Sequence, residues 1–147
     1  GVQTCALPIS EEMVPYKLIL AKSLRMAGQA KESLDLISPL AAQFADDAQV
    51  IHAMGESYFM LGGTPNLKSA APYFDTLITR IQPENQKYPT IWWNAWVRRL
   101  SINDQLGQST GEIPLRVQQL VLLDPNLGGE VFKLELERLK NKYALSK

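Results

Sequence analysis

The sequence predicts an all-α fold, a stack of about three helical hairpins followed by a terminal helix, with no sheet. Three observations predict it. Apolar residues recur at helical rather than alternating spacing along most of the chain. The helical stretches are separated by short breaks that carry Gly28, Gly62-Gly63, Gly107 and Gly128-Gly129. Corresponding features also return along the chain, with Leu24, Tyr58 and Leu100 answering one another ahead of Gly28, Gly62 and Gly107. At 147 residues the chain falls in the range of one domain that buries roughly two-thirds of its unfolded surface.

The first helix is expected to open at Ser10-Glu11-Glu12, whose carboxylates suit a first turn, and to run to about Ala27. Pro15 fits this start, since a proline in the first turn removes no intrahelical hydrogen bond. Leu20, Leu24 and Ala27, with Ala21 beside them, form its expected inner stripe. The second helix, about 30–44, turns Leu34, Ile37, Leu40 and Ala41 inward. Pro39 lies inside it, forfeits the bond to the Asp35 carbonyl at a cost on the order of 3 kcal/mol, and predicts a kink rather than a break.

The central hairpin follows Asp46-Asp47, with arms at 51–61 and 67–81 joined by Gly62-Gly63-Thr64-Pro65-Asn66. Met54, Gly55, Tyr58 and Leu61 make the first stripe, and Ala70, Phe74, Leu77 and Ile81 the second. Gly55 and Ala70 let the two backbones approach. Pro72 sits early in the second arm, which is therefore expected to begin near Lys68 or Ser69. The next helix, about 90–106, carries Trp92, Trp93 and Trp96, three indoles that cover more than one face. Trp96 is expected to be structural and to look toward the central hairpin. A shorter helix at 113–123 places Ile113, Val117 and Leu120 inward. The last helix, about 130–144, aligns Phe132, Leu136, Leu139 and Tyr143, with Lys133, Glu137, Lys140 and Asn141 toward water, as the end of a repeat array requires.

The spacing Met54-Gly55, Tyr58, Gly62, then Ala70, Phe74, Leu77 resembles a tetratricopeptide repeat, a helix–turn–helix unit of about 34 residues, here with about three extra residues in the turn. Ser33, Ile37 and Leu40 occupy the matching positions of the first unit, with Leu40 larger than the usual alanine and Pro39 departing from the pattern. Asp124-Pro125-Asn126 gives the most repeat-like ending. The resemblance covers roughly 16–126. It implies an α-solenoid of about three such hairpins plus a capping helix, within a domain spanning 10–147. The Trp92-Trp93 helix opening, the Asp124-to-Gly129 break and the final amphipathic helix are also similar to the C-terminal ends of large bacterial tetratricopeptide proteins. The chain is accordingly expected to be a fragment of such a protein. Residues 1–9 resemble the in-frame translation of a sequencing-library adapter and are excluded from fold and function, together with Cys5, the one cysteine. Deleting them is expected to change stability by less than about 0.5 kcal/mol.

Lys plus Arg and Asp plus Glu are both 15, so no global field favours nucleic acid. The apolar runs are shorter than the roughly 20 residues of a membrane span. No glycine run has phosphate-loop spacing, no Ser–His–acid set can be drawn from one histidine, and no cofactor motif is present. His52 and Glu56, four apart, share a helix face but make only two metal ligands and lack zinc-protease spacing, so an ordinary exposed face is expected and an enzyme is the remote alternative. Arg98 and Arg99 beside the tryptophans read as solvated cations over packed core.

What the resemblance leaves for function is the concave groove of stacked repeats. Its register assigns Leu18, Lys22, Arg25 and Met26 from the first unit, His52, Glu56, Phe59 and Met60 from the second, and Asn94, Arg98 and Ser101 from the third. Such a set suits a peptide or protein segment, an acidic chain end included. The expected function is a non-catalytic interaction scaffold, with a purely structural end-cap of a longer solenoid as the alternative. Reversing the charges of Arg25 and Arg98 is expected to alter stability little.

Overall fold

The computed structural model describes residues 7–144. They form seven α-helices: α1 Val14–Met26, α2 Ala30–Gln43, α3 Ala48–Leu61, α4 Thr64–Arg80, α5 Thr90–Leu106, α6 Ile113–Leu123 and α7 Glu130–Ala144. Short 3-10 turns at Glu11–Met13 and Thr110–Glu112 precede α1 and α6. Among the described residues there is no strand, only a bridge between Glu84 and Lys87 around a turn with Asn85 and Gln86 at positive φ. The all-α expectation holds. No helix among the described residues is long and apolar enough to cross a membrane.

Consecutive helices pack in order, α1 on α2, α2 on α3, α3 on α4 and α4 on α5, and each odd helix also touches the odd helix before it. At the C-terminal end the order changes, because α7 lies against both α5 and α6. Three apolar clusters follow. Val14, Ala21, Ile37, Leu40, Val50, Ala53 and Met54 fill the first. Ile51, Leu67, Ala70, Phe74, Leu77, Ala95 and Ile102 fill the second. The third joins Trp92, Trp93, Val97 and Leu100 to α6, Leu127 and α7.

Local chemistry accounts for the boundaries. Asp47 caps α3, its carboxylate accepting from the backbone N–H groups of Gln49 and Val50 at 2.8 and 3.1 Å. Where α3 and α4 cross, a Cβ on Gly55 would stand 2.9 Å from the Phe74 ring, so the glycine is what admits a fully buried phenylalanine. The start of α4 corrects the expectation: it begins at Thr64, with Pro65 in the first turn, and runs through Pro72. Lys68 and Pro72 both lie on the exposed side, where water satisfies the carbonyl that the proline leaves unbonded. Asp35 and Pro39 in α2 repeat this arrangement.

Two registers also differ from expectation. In α1 the buried face is Val14, Ala21 and Arg25 with Leu18 half-buried, while Leu20 and Ala27 are exposed. The helix has two apolar faces, and the small Ala21 sets the one that approaches α2 and α3 most closely. In α5, Ala95 and Ile102 face the central hairpin instead of Trp96. Trp96 is half-buried against the third cluster beneath the Arg116 guanidinium, 5.2 Å from its ring, and its buried Nε1 has no hydrogen-bond partner among the described residues. Trp92 stacks on Tyr88 at 3.7 Å and donates from Nε1 to the Ile78 carbonyl at 3.1 Å, tying α5 to the end of α4.

Within the leader, the part that includes Cys5 lies outside the described residues. Leu7 is exposed, but Ile9 packs on the first cluster, and both its backbone groups bond the Gln43 side-chain amide at 2.8 and 2.6 Å. A truncation that stops before Ile9 is therefore expected to melt with the parent. Removing Ile9 as well is expected to lose about 1–2 kcal/mol in urea titration, from two hydrogen bonds and a packed side chain.

Candidate functional site

Helices α1, α3 and α5 line a groove of about 480 Å³. Nine of the eleven residues assigned to it from sequence border it: Leu18, Lys22, Arg25, Met26, His52, Glu56, Met60, Asn94 and Arg98. Phe59 does not. Its ring carries the Arg98 guanidinium 4.3 Å from the centroid, a cation–π contact that fixes the arginine from behind. Ile19 and Gln49 also line the groove, while Ser101 is buried in the packing of α5.

The groups at the bottom of the groove are not free. Glu56 is buried, and Arg98 Nε donates to both its oxygens at 3.0 and 3.2 Å. His52 Nε2 stands 3.3 Å from Glu56 Oε1 and 2.7 Å from Asn94 Oδ1. Both neighbours are oxygen acceptors, so Nε2 carries the proton. Burial raises the Glu56 pKa, yet the hydrogen bond from His52 and the charge and hydrogen bond of Arg98 outweigh it and hold the carboxyl down at about 2. The expected exposed His52/Glu56 face is thus a paired one, with Glu56 buried and His52 half-buried. Among the described residues no group of three His, Cys, Asp or Glu side chains comes together there.

Arg25 is the departure that matters most. Only 8% of it is exposed, and its Nη1 donates to Ser33 Oγ at 3.2 Å, while Ser33 and Ser57 hydroxyls pair at 2.8 Å. Desolvation lowers its pKa, against which the Glu56 charge acts favourably and the Arg98 charge unfavourably. No carboxylate among the described residues lies within ion-pair distance of Arg25 or of the exposed Lys22. The expectation that Arg25 and Arg98 are free groove cations is corrected: one is buried and the other holds Glu56, so reversing either charge acts on the fold. Arg99 is likewise paired, with Asp75 at 2.8 Å, rather than solvated.

A sequence signal for this network existed. His52–Asn94 and Glu56–Arg98 are both 42 residues apart, so two i, i+4 pairs on successive first helices face each other in register. The Ser33–Ser57 pair had none beyond its small size. Away from the groove, Asp104 receives Lys142 Nζ at 2.7 Å and the Tyr143 hydroxyl, which docks α7 on α5. Burial raises the Asp104 pKa, but the Lys142 and Tyr143 bonds lower it overall. Comparison of the chain with protein-family models, with curated proteins and with solved structures finds no match in any of the three.

Proposed function

We propose that the chain is a non-catalytic, tetratricopeptide-like interaction module whose α1–α3–α5 groove holds a peptide segment that combines apolar side chains with one carboxylate. The carrying observation is Arg25, a buried guanidinium with no carboxylate at ion-pair distance among the described residues. The groove sets three cations, Lys22, Arg25 and Arg98, against the single Glu56. A ligand carboxylate between Lys22 and Arg25 would offset the desolvation of Arg25, while Leu18, Ile19, Met26 and Met60 offer adaptable apolar contact. The repeat-like spacing of the sequence supports the same reading.

Calorimetric titration with two matched leucine-containing peptides, one bearing glutamates and the other glutamines, tests this. The acidic peptide is expected to bind with an affinity that falls as salt rises. Lys22→Glu is expected to weaken it about tenfold, or about 1.4 kcal/mol, with an unchanged melting temperature because Lys22 is exposed. Equal binding of the two peptides, or none, removes the proposal.

A further inference from the structure

Three of the four methionines are exposed, and two of these three share the groove. Met26 is 79% exposed and Met60 46%, and both border the groove at whose bottom Arg25 and Glu56 lie. Met13 is exposed to the same 46% but stands ahead of α1, outside the groove. Met54 is buried in the first apolar cluster. Met26 and Met60 are 34 residues apart, the spacing at which Leu24 and Tyr58 also correspond. Each stands in the last turn of its helix, Met26 closing α1 and Met60 next to the end of α3, and those two helices touch.

A thioether is a soft, adaptable apolar contact in its reduced form. A hydroperoxide changes that in one step. The O–O bond breaks, one oxygen forms an S–O bond, the sulfur loses two electrons, and hydrogen peroxide is reduced to water. The sulfoxide is polar and accepts hydrogen bonds. Two consequences follow for the groove. Its apolar lining, otherwise Leu18 and Ile19, loses both thioethers. Lys22 also lies at i, i+4 to Met26 on the same helix, so a sulfoxide oxygen at Met26 stands within reach of the ammonium that a ligand carboxylate would use. The groove thus loses apolar contact and gains an internal competitor for its exposed cation, while the buried Met54 is shielded.

We propose that Met26 and Met60 form a reversible oxidation site, where a hydroperoxide converts both thioethers to sulfoxides and closes the groove to its apolar, acidic peptide. This rests on the reading of the groove as a peptide site. Two thiols of a methionine sulfoxide reductase reverse the step, becoming a disulfide while the oxygen leaves as water. A bound peptide covers both sulfurs. Occupancy therefore slows oxidation, and oxidation lowers affinity.

Hydrogen peroxide treatment of the purified chain, followed by peptide mapping and by calorimetry with the glutamate-bearing leucine peptide, tests the site. Met13, Met26 and Met60 are each expected to gain one oxygen before Met54 does. Saturating peptide is expected to slow oxidation of Met26 and Met60 severalfold and to leave Met13 at its free rate. The oxidised chain is expected to keep the helix content and melting temperature of the parent and to bind the peptide roughly tenfold or more weakly. Reduction by sulfoxide reductases for both epimers is expected to restore the affinity. Met13→Leu, away from the groove, is expected to lose and regain affinity as the parent does. Full affinity after both groove methionines are oxidised overturns the inference and leaves the peptide reading standing. So does a loss that Met13→Leu abolishes, that the reductases fail to reverse or that comes with lost helix content, and so does bound peptide that protects Met13 as well as Met60. An untreated chain that does not bind the acidic peptide overturns both.

Discussion

Gly128→Ala is expected to lower stability by roughly 2–5 kcal/mol, a drop in melting temperature on the order of 10 °C. Two separate effects add at this position. The residue has φ +81, where an alanine costs about 1–2 kcal/mol. Its Cβ would also fall 2.2 Å from Trp93 Cγ and 2.6 Å from Cδ1 and Cδ2. Those atoms are at the root of a buried indole in the third cluster, so they cannot swing aside as a chain end would, and overpacking of this kind costs about 1–3 kcal/mol. Two controls separate the contributions. Gly107 has φ +64 with nothing within 4 Å, so Gly107→Ala reads the backbone cost alone, about 1–2 kcal/mol. Gly111 has neither constraint, and Gly111→Ala is expected to stay within about 0.5 kcal/mol. Equal melting of the Gly128 and Gly107 variants would mean that Trp93 does not sit over the 127–129 turn.

Glu56→Gln is expected to destabilise the fold by about 3–5 kcal/mol at neutral pH, the usual cost of breaking a buried ion pair by removing one partner. The amide leaves Arg98 without its counter-charge and takes from the buried Arg25 its favourable charge. The pH dependence gives an independent reading. The Glu56 carboxyl falls from its ordinary 4.5 to about 2 on folding. A depressed acid contributes stability that is complete above about pH 4.5 and disappears as pH falls toward about 2. At about 1.36 kcal/mol per tenfold change in proton affinity, this is about 3 kcal/mol. Denaturant titrations from pH 7 down to pH 2 are therefore expected to show the parent converging on the variant below pH 4. A constant gap between the two curves across that range would show that the carboxylate is not paired in the folded chain.

Much of the fold was legible because local rules and tertiary packing agree. Helices α5, α6 and α7 have the bounds that apolar period and glycine breaks assign, whereas Gly55, expected to meet Ala70, instead makes room for the Phe74 ring. The start of α4 was misplaced because Pro72 was weighed as a helix starter, whereas its unbonded carbonyl partner simply faces water. The groove was legible in membership but not in state. Repeat register places Lys22, Arg25, His52, Glu56, Asn94 and Arg98 on one surface, yet it carries no information on which charges find partners there.

The sequence by itself determined the helical class, the breaks between helices and the residues that share the groove, since these depend on period, glycine and proline, which are properties of the local chain. Only the tertiary structure decided which of the two apolar faces of α1 is buried, that Arg25 points inward and that Glu56 is ionised between His52 and Arg98. Those outcomes depend on distances between helices about 30 to 40 residues apart in sequence. At such short range, desolvation and pairing are decided by ångströms that no spacing along the chain encodes.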